Sequence, residues 1–272
     1  MIYEFFSFLN EYDMLELKLQ EHSLYVDQFV ITEANRTFNG IPREYSLRSQ
    51  WDRYQPWHHK ITVLEMDVSH LKPGWAIENA QMNYGSEQIR IRPKDIAILT
   101  DLDEFLRPQD WQWITDNINS AKREILFDMQ AYWCFANVQH SRKHRDIAAV
   151  LGSRFVDAMT HRRSWRKTIA GPLPHTTIRA GGLHFTWFGD QETFTGKMQG
   201  SIEAYNWCQG HDPAEVWKLK QENRLFHWKR KFERRKMSLV PIDTNPNFTE
   251  SMQKFIKQRP EWIYEEKYGP IV

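Results

Sequence analysis

The sequence predicts an α/β protein with a mainly parallel central sheet and a helical C-terminal segment. Three observations lead there. Short apolar runs suited to buried strands alternate with helix-like segments through the first half of the chain. The fourth run, Ile96 to Leu99, stops abruptly in the carboxylates of Asp101-Leu102-Asp103-Glu104. At 272 residues and 41% hydrophobic content, the chain is long enough for one large domain with a substantial core. We expect that domain over residues 1–237, with a tail, 238–272, packed on it.

The elements follow in order. Residues 2–8 read as a strand, and a helix runs from Glu11 to His22 with Met14, Leu15, Leu17 and Leu19 as its apolar stripe and Asn10 as its cap. Phe29 to Glu33 is a second strand ending on an acid, and Asn39-Gly40 marks a turn. A third strand spans Ile61 to Met66, residues 75–90 are helical, and the strand at 95–100 comes next. A Trp-rich helix at 109–119 and a strand from Ile125 to Phe135 complete the regular part. Residues 139–180 lack a clear period and hold two basic clusters, His140 to Arg145 and His161 to Lys167. Asp212-Pro213-Ala214-Glu215 has the form of a helix start, with a cap, a proline at the first position and an acid in the first turn.

Composition excludes several classes. The net charge is +1, so the chain is no polyelectrolyte. Within it, Lys218 to Lys236 carries nine Lys/Arg against two Glu, a local +7 that leaves −6 for the remainder. Two cysteines, Cys134 and Cys208, make neither a disulfide framework nor a metal spacing, and reduced thiols are expected. The first residues have no basic leader pattern and no apolar run reaches membrane length. A cytoplasmic protein without an integral membrane segment is the expectation. Twelve Trp and a 14% aromatic content suit surfaces where an apolar face meets a polar partner such as a sugar ring.

The Asp-x-Asp segment is the strongest chemical signal. In an extended segment Asp101 and Asp103 leave the same face. Two hard oxygen donors at a strand's carboxyl end can hold Mn²⁺ or Mg²⁺ and leave positions open for a diphosphate. The alternative is that these acids solvate a strand end or cap the helix near Pro108. An EF-hand is excluded, because Phe105 and Leu106 fall where a ligand and a glycine are required. A phosphoesterase would need a larger His/Asp cluster than the chain offers.

Other segments fall into a recognisable order around this one. Phe5-Phe6-Ser7-Phe8-Leu9-Asn10-Glu11-Tyr12-Asp13-Met14-Leu15-Glu16 resembles a Phe-Asn-Glu-x-Asp-Leu-Leu-Glu opening. Val30-Ile31-Thr32-Glu33-Ala34-Asn35-Arg36-Thr37-Phe38-Asn39-Gly40 is similar to Val-Glu-Ser-Asn-x-Thr-Phe-x-Gly. Trp75-Ala76-Ile77-Glu78 followed by Met82-Asn83 looks like Trp-x-x-Glu-x-x-x-Arg-Asn, and Gly181-Gly182-Leu183-His184-Phe185 looks like Gly-Gly-Trp-His-Phe. Tyr132 to Asn137 is similar to a Tyr-rich strand ending in Asn. Together with Asp101-Leu102-Asp103-Glu104 these resemble glycosyltransferase family 17, the β-1,4-mannosyl-glycoprotein 4-β-N-acetylglucosaminyltransferase family, in a bacterial or viral type member. Met82 stands where that family usually has Arg, Leu183 replaces its Trp, and residues 201–206 lack its Ser-His-x-Glu pattern.

The resemblance implies a GT-A-like fold and a metal-dependent, inverting transfer of a sugar, N-acetylglucosamine, from a UDP-sugar to a hydroxyl of a glycan acceptor. It implies Mn²⁺ or Mg²⁺ on Asp101, Asp103 and His184, and nucleotide-sugar contacts from Glu33, Asn35, Asp101 and His184. Inversion requires a carboxylate base; Asp190, Glu203 and Glu104 are the candidates, with Glu192 beside them. Arg162, Arg163 and the basic helix could supply cations. The alternative function is a nucleic-acid or anionic-surface binding protein using helix 218–236 with Phe226, Trp228 and Phe232 interleaved. Overall neutrality weighs against nucleic acid as a partner.

Overall fold

The computed structural model describes residues 1–164, 175–202, 211–221 and 237–265. Four strands, β1 (Ile2–Phe8), β2 (Gln28–Ala34), β3 (Ile61–Met66) and β4 (Ile96–Leu99), lie parallel in the order β3-β2-β1-β4. They are joined through α1 (Tyr12–His22), a 3₁₀ segment at Leu47–Lys60 and α2 (Trp75–Gln88). Both faces of β1, β2 and β4 are buried, while the edge strand β3 is half-buried. Phe6, Phe8, Phe29, Ile31 and Ile98 pack with Met14, Leu15, Leu17 and Leu19 of α1. On the opposite face, Phe5, Val30, Ala97 and Leu99 form a second cluster. Burial on two sides explains why these strands read as continuous apolar runs rather than alternating ones.

The second half of the sheet is laid on antiparallel. Strand β8 (Ala148–Leu151) inserts between β4 and β6 (Ile125–Trp133), and β7 (Val138–His144) lies on the other side of β6. Strand β9 (Thr177–Thr186) runs parallel to β6 and antiparallel to the two-residue β5 (Glu104–Phe105). A short β10 (Met237–Leu239) extends β7. Helices α3 (Pro108–Asn117), α4 (Ala158–Arg162), α5 (Gln191–Gly200), α6 (Pro213–Gln221) and α7 (Glu250–Lys257) complete the described residues. Helix α7 returns Met252, Phe255 and Ile256 to the main core. No helix among the described residues is long and apolar enough to cross a membrane.

The expected α/β class and the parallel first half are present. Residues 139–180, which showed no period, contribute β7, β8, α4 and the start of β9. Asn10 does not cap α1: Glu11 occupies the cap position and makes no side-chain capping bond. At the start of helix α3, Asp110 accepts from the Arg107 backbone N–H at 3.0 Å and from its guanidinium Nε at 2.8 Å. The Asp-x-Asp residues are not an extension of β4 but a turn, closed by the Glu104 N–H on the Asp101 carbonyl at 3.2 Å. Most of the basic helix 218–236, with Phe226, Trp228 and Phe232, lies outside the described residues, as do Glu203 and Cys208.

Candidate functional site

The turn between β4 and β5 is held from below by three fully buried side chains, Glu4, Lys18 and His22. Glu4 of β1 pairs with Lys18 at 3.0 Å and with His22 Nδ1 at 2.8 Å. Lys18 Nζ also donates to the carbonyls of Asp101, at 3.1 Å, and Glu104, at 2.5 Å. His22 Nε2 accepts the Leu106 N–H at 3.2 Å. Burial would raise the Glu4 carboxyl, yet His22 and Lys18 outweigh it and hold it down at about 2. An ionic group at the core of the parallel half therefore fixes the backbone of the Asp-x-Asp turn.

Above that turn opens a cleft of about 220 Å³ at the carboxyl ends of the parallel strands. Asp101, Asp103, His144, Asp146, Arg162, His184 and Lys197 meet there, with Trp75 and Glu78 of α2 and Arg163, just past α4, on one wall. Gly181 and Gly182 make this convergence possible. A Cβ on Gly181 would lie 2.5 Å from Asp110 Oδ1, and Gly182 has φ +76° while its N–H donates to Asp110 at 2.8 Å. With no side chains in the way, β9 crosses the start of α3 and sets His184 opposite Glu104 in register.

The acids are matched by cations of the chain. Asp101 Oδ1 pairs with Arg162 Nη1 at 2.7 Å, and Glu104 Oε2 with Arg162 Nη2 at 3.0 Å. Asp103 Oδ2 pairs with Lys197 at 2.5 Å and its Oδ1 lies 3.5 Å from His184 Nε2. Burial would raise Asp103, but Lys197 and His184 drive it well below the usual carboxylate range. Glu104 is sealed in the interior; burial pushes its carboxyl up, against the pull of Arg162. Glu78 pairs with Arg163 at 2.5 Å, and burial, reinforced by Asp101, raises it to about 7. Arg163 also stacks on Trp75 at 4.6 Å.

A second group of donors lies beside the pair. Glu104, His144 and His184 each offer a ligand atom within 4.8 Å of the others. The imidazole centroids lie 4.1 Å apart with the rings tilted by 32°, His144 Nε2 is 2.8 Å from Asp146, and Glu104 Oε1 is buried with no hydrogen-bond partner. One carboxylate oxygen and two imidazole nitrogens suit a borderline divalent ion, and the orphaned oxygen is an acceptor that such an ion would satisfy.

Of the residues singled out in the sequence, Asp101, Asp103, His184, Arg162 and Arg163 line the cleft. Glu104 stands just behind them. Glu33 does not line it: its carboxylate takes the Ser46 N–H at 2.7 Å, the Leu47 N–H at 3.1 Å and Arg43 at 2.8 Å, pinning the loop after β2. Asn35 likewise pins a turn, accepting the Val68 N–H at 2.9 Å and donating to Asp67 at 2.7 Å. Asp190 is exposed and caps α5 through the Thr193 N–H at 2.8 Å. His144, Asp146, Glu78 and Lys197 had been given no role. Glu78 carried a signal in its Trp-x-x-Glu spacing, which puts Trp75 and Glu78 on one helix face; Lys197 carried none.

Known proteins bear on this geometry. Over 108 residues the chain is 29% identical to the beta-1,4-mannosyl-glycoprotein 4-beta-N-acetylglucosaminyltransferases of Homo sapiens and Rattus norvegicus, and 28% identical to that of Mus musculus. Each match covers 35% of this chain, and the chain spans about a fifth, 20%, of the length of these relatives. Among solved structures, a 4-diphosphocytidyl-2C-methyl-D-erythritol synthase from Anaerococcus prevotii aligns with a TM-score of 0.40 at 8% identity, over 66% of this chain and 87% of that one. The sequence model of glycosyltransferase family 17 matches residues 1–168, which include the Asp-x-Asp-Glu turn and Arg162, and the chain belongs to that family.

Proposed function

We propose that the protein is an inverting glycosyltransferase that moves N-acetylglucosamine from a UDP-sugar to a hydroxyl of a glycan acceptor. The observation that carries this reading is the cleft over the Asp101–Glu104 turn, at the carboxyl ends of the parallel strands of a family 17 chain. In such a transfer the acceptor oxygen bonds to the anomeric carbon and the bond from that carbon to the diphosphate oxygen breaks. The bonding pair leaves with the nucleoside diphosphate, and the hydroxyl proton goes to a base. Charge grows on the departing diphosphate, and fixed cations around it lower the barrier. Arg162 and Lys197 are the cleft cations held in place by the carboxylates of the Asp-x-Asp turn.

For the base, Asp190 is committed to a helix cap and Glu104 is shut behind Arg162. Among the described cleft carboxylates Glu78 suits the task, because its acid strength near 7 lets it be ionised at rest and accept a proton in the reaction. Trp75, 45% exposed beside it, offers an aromatic face to a sugar or base ring. Glu104, His144 and His184 would hold a divalent ion, which would supply neutralising charge to the leaving group.

The test is mass spectrometry of products from a panel of nucleotide sugars and glycan acceptors, with UDP binding measured by calorimetry. Transfer of one N-acetylhexosamine mass from UDP-N-acetylglucosamine, abolished in Asp103→Ala, is the expected result. Absence of both UDP binding and sugar transfer across the panel would sink the reading.

A further inference from the structure

We propose that Lys197 is the cation that grips the donor diphosphate, standing on Asp103 where the Asp-x-Asp pattern calls for a metal ion. This rests on the glycosyltransferase reading above and assigns one residue within it.

The position of Lys197 is built, not incidental. Asp190 starts α5, and Gly196 and Gly200, one helical turn apart, face the loop between β1 and α1. A Cβ on Gly196 would lie 2.2 Å from Asn10 Nδ2, and one on Gly200 would lie 2.9 Å from Leu9 Cδ2. Only a helix lacking side chains along that edge comes so close to the loop. The approach carries the Lys197 ammonium to Asp103, at 2.5 Å, and to Glu11, at 3.1 Å. An ammonium has three N–H donors, and these two carboxylates engage two of them. The side chain keeps 18% of its surface and lines the cleft beside His184.

Both Asp-x-Asp carboxylates are thereby neutralised from within the chain, Asp101 by Arg162 and Asp103 by Lys197. A divalent ion bound directly to Asp103 would sit against an ammonium, and like charges at that range repel. Among the described residues, the group of donors that could hold an ion is Glu104, His144 and His184. A point charge on a flexible stem suits a phosphate oxygen, and a charge already fixed at the site need not reorganise when the diphosphate departs.

The test compares UDP with UMP, which differ by the phosphate that Lys197 would hold. Calorimetry on the full chain, in EDTA and again with Mn²⁺, gives both affinities for wild type, Lys197→Met and Glu11→Gln. In Lys197→Met, UDP should weaken tenfold or more while UMP shifts less than threefold. In Glu11→Gln, which leaves Lys197 in place and removes one of its carboxylates, the preference for UDP over UMP should rise. A UDP-to-UMP ratio unchanged in Lys197→Met overturns the assignment, since a purely structural ion pair would weaken both ligands alike. Should Lys197→Met not fold, an unchanged or lower ratio in Glu11→Gln overturns it on its own. Failure of wild type to bind UDP in either condition removes the glycosyltransferase reading and this assignment together, whereas tight UDP binding that ignores both substitutions removes only the role of Lys197.

Discussion

Replacing Lys18 with Met tests whether the Asp-x-Asp turn is anchored through the core. Lys18 is wholly buried and faces three oxygens: Glu4 Oε1 and the carbonyls of Asp101 and Glu104. Removing one partner of a buried ion pair costs about 3–5 kcal/mol, because the other charge is stranded in the interior. Here Glu4 keeps His22 at 2.8 Å and the Thr100 hydroxyl at 3.1 Å, so the loss should fall at the low end, about 3 kcal/mol. With a urea m-value of about 3 kcal/mol/M, the unfolding midpoint drops by about 1 M. The double variant Lys18→Met with Glu4→Gln should recover part of this, since no stranded carboxylate remains. The pH profile provides a second reading. Glu4 is held at about 2 against an ordinary 4.5, so its contribution is present above pH 4.5 and is lost as pH falls through 2. At about 1.4 kcal/mol per pH unit that contribution is about 3 kcal/mol, and Lys18→Met should flatten this acid limb. A loss under about 1 kcal/mol, or a double variant no better than the single one, would refute the anchoring argument.

Other substitutions separate roles within the cleft. Glu78→Gln should remove a carboxyl titration near 7 seen by ¹³C NMR; Glu78 is neutral below that point, so sugar transfer should fall as pH drops through 7 in wild type and be low and flat in the variant. Trp75→Ala, at an exposed position, should change stability by no more than about 0.5 kcal/mol while weakening donor or acceptor binding severalfold by calorimetry. Arg162 Nη1 lies 3.8 Å from the Met82 sulfur, so Met82→Arg brings two guanidinium groups together and Arg162→Met strands Asp101 and Glu104. Each alone should lower the melting temperature, and the pair Met82→Arg with Arg162→Met should recover part of the loss, read as non-additivity in urea unfolding.

The parallel half was legible because burial on both faces demands apolar runs, and β2 and β4 carry them. The Asp-x-Asp turn was legible for the same reason, as charge appears where a buried strand ends. Strand β7, Val138–His144, was hidden by its own letters: a polar stretch with His140 buried between β6 and β10 has no apolar period to read. Glu4 and Lys18 looked like ordinary solvated charges on a strand and a helix, since nothing local says that a partner 14 residues away shares their burial. Glu33, Asn35 and Asp190 show the converse. An acid or amide at an element's end suits a ligand or a cap equally, and in all three the backbone claims the side chain. Lys197 meets Asp103 across 94 residues, a separation that no motif spans.

The charge balance of the cleft constrains what can enter it. Arg36, Arg43, Arg162, Arg163 and Lys197 face Glu11, Glu78, Asp101, Asp103 and Asp146, five cations against five carboxylates among its described lining. A nucleoside diphosphate brings at least two negative charges, so a cleft neutral at rest must shed anions or gain cations as it binds. The two histidines offer nitrogens for an ion or for protons. Donor binding should therefore be coupled to uptake of protons or of a divalent ion. Calorimetry of UDP binding in buffers of different ionisation enthalpy reads the first, and its dependence on Mn²⁺ concentration reads the second. Binding with neither coupling would mean that the existing cations suffice, and that the carboxylates around them yield by moving rather than by titrating.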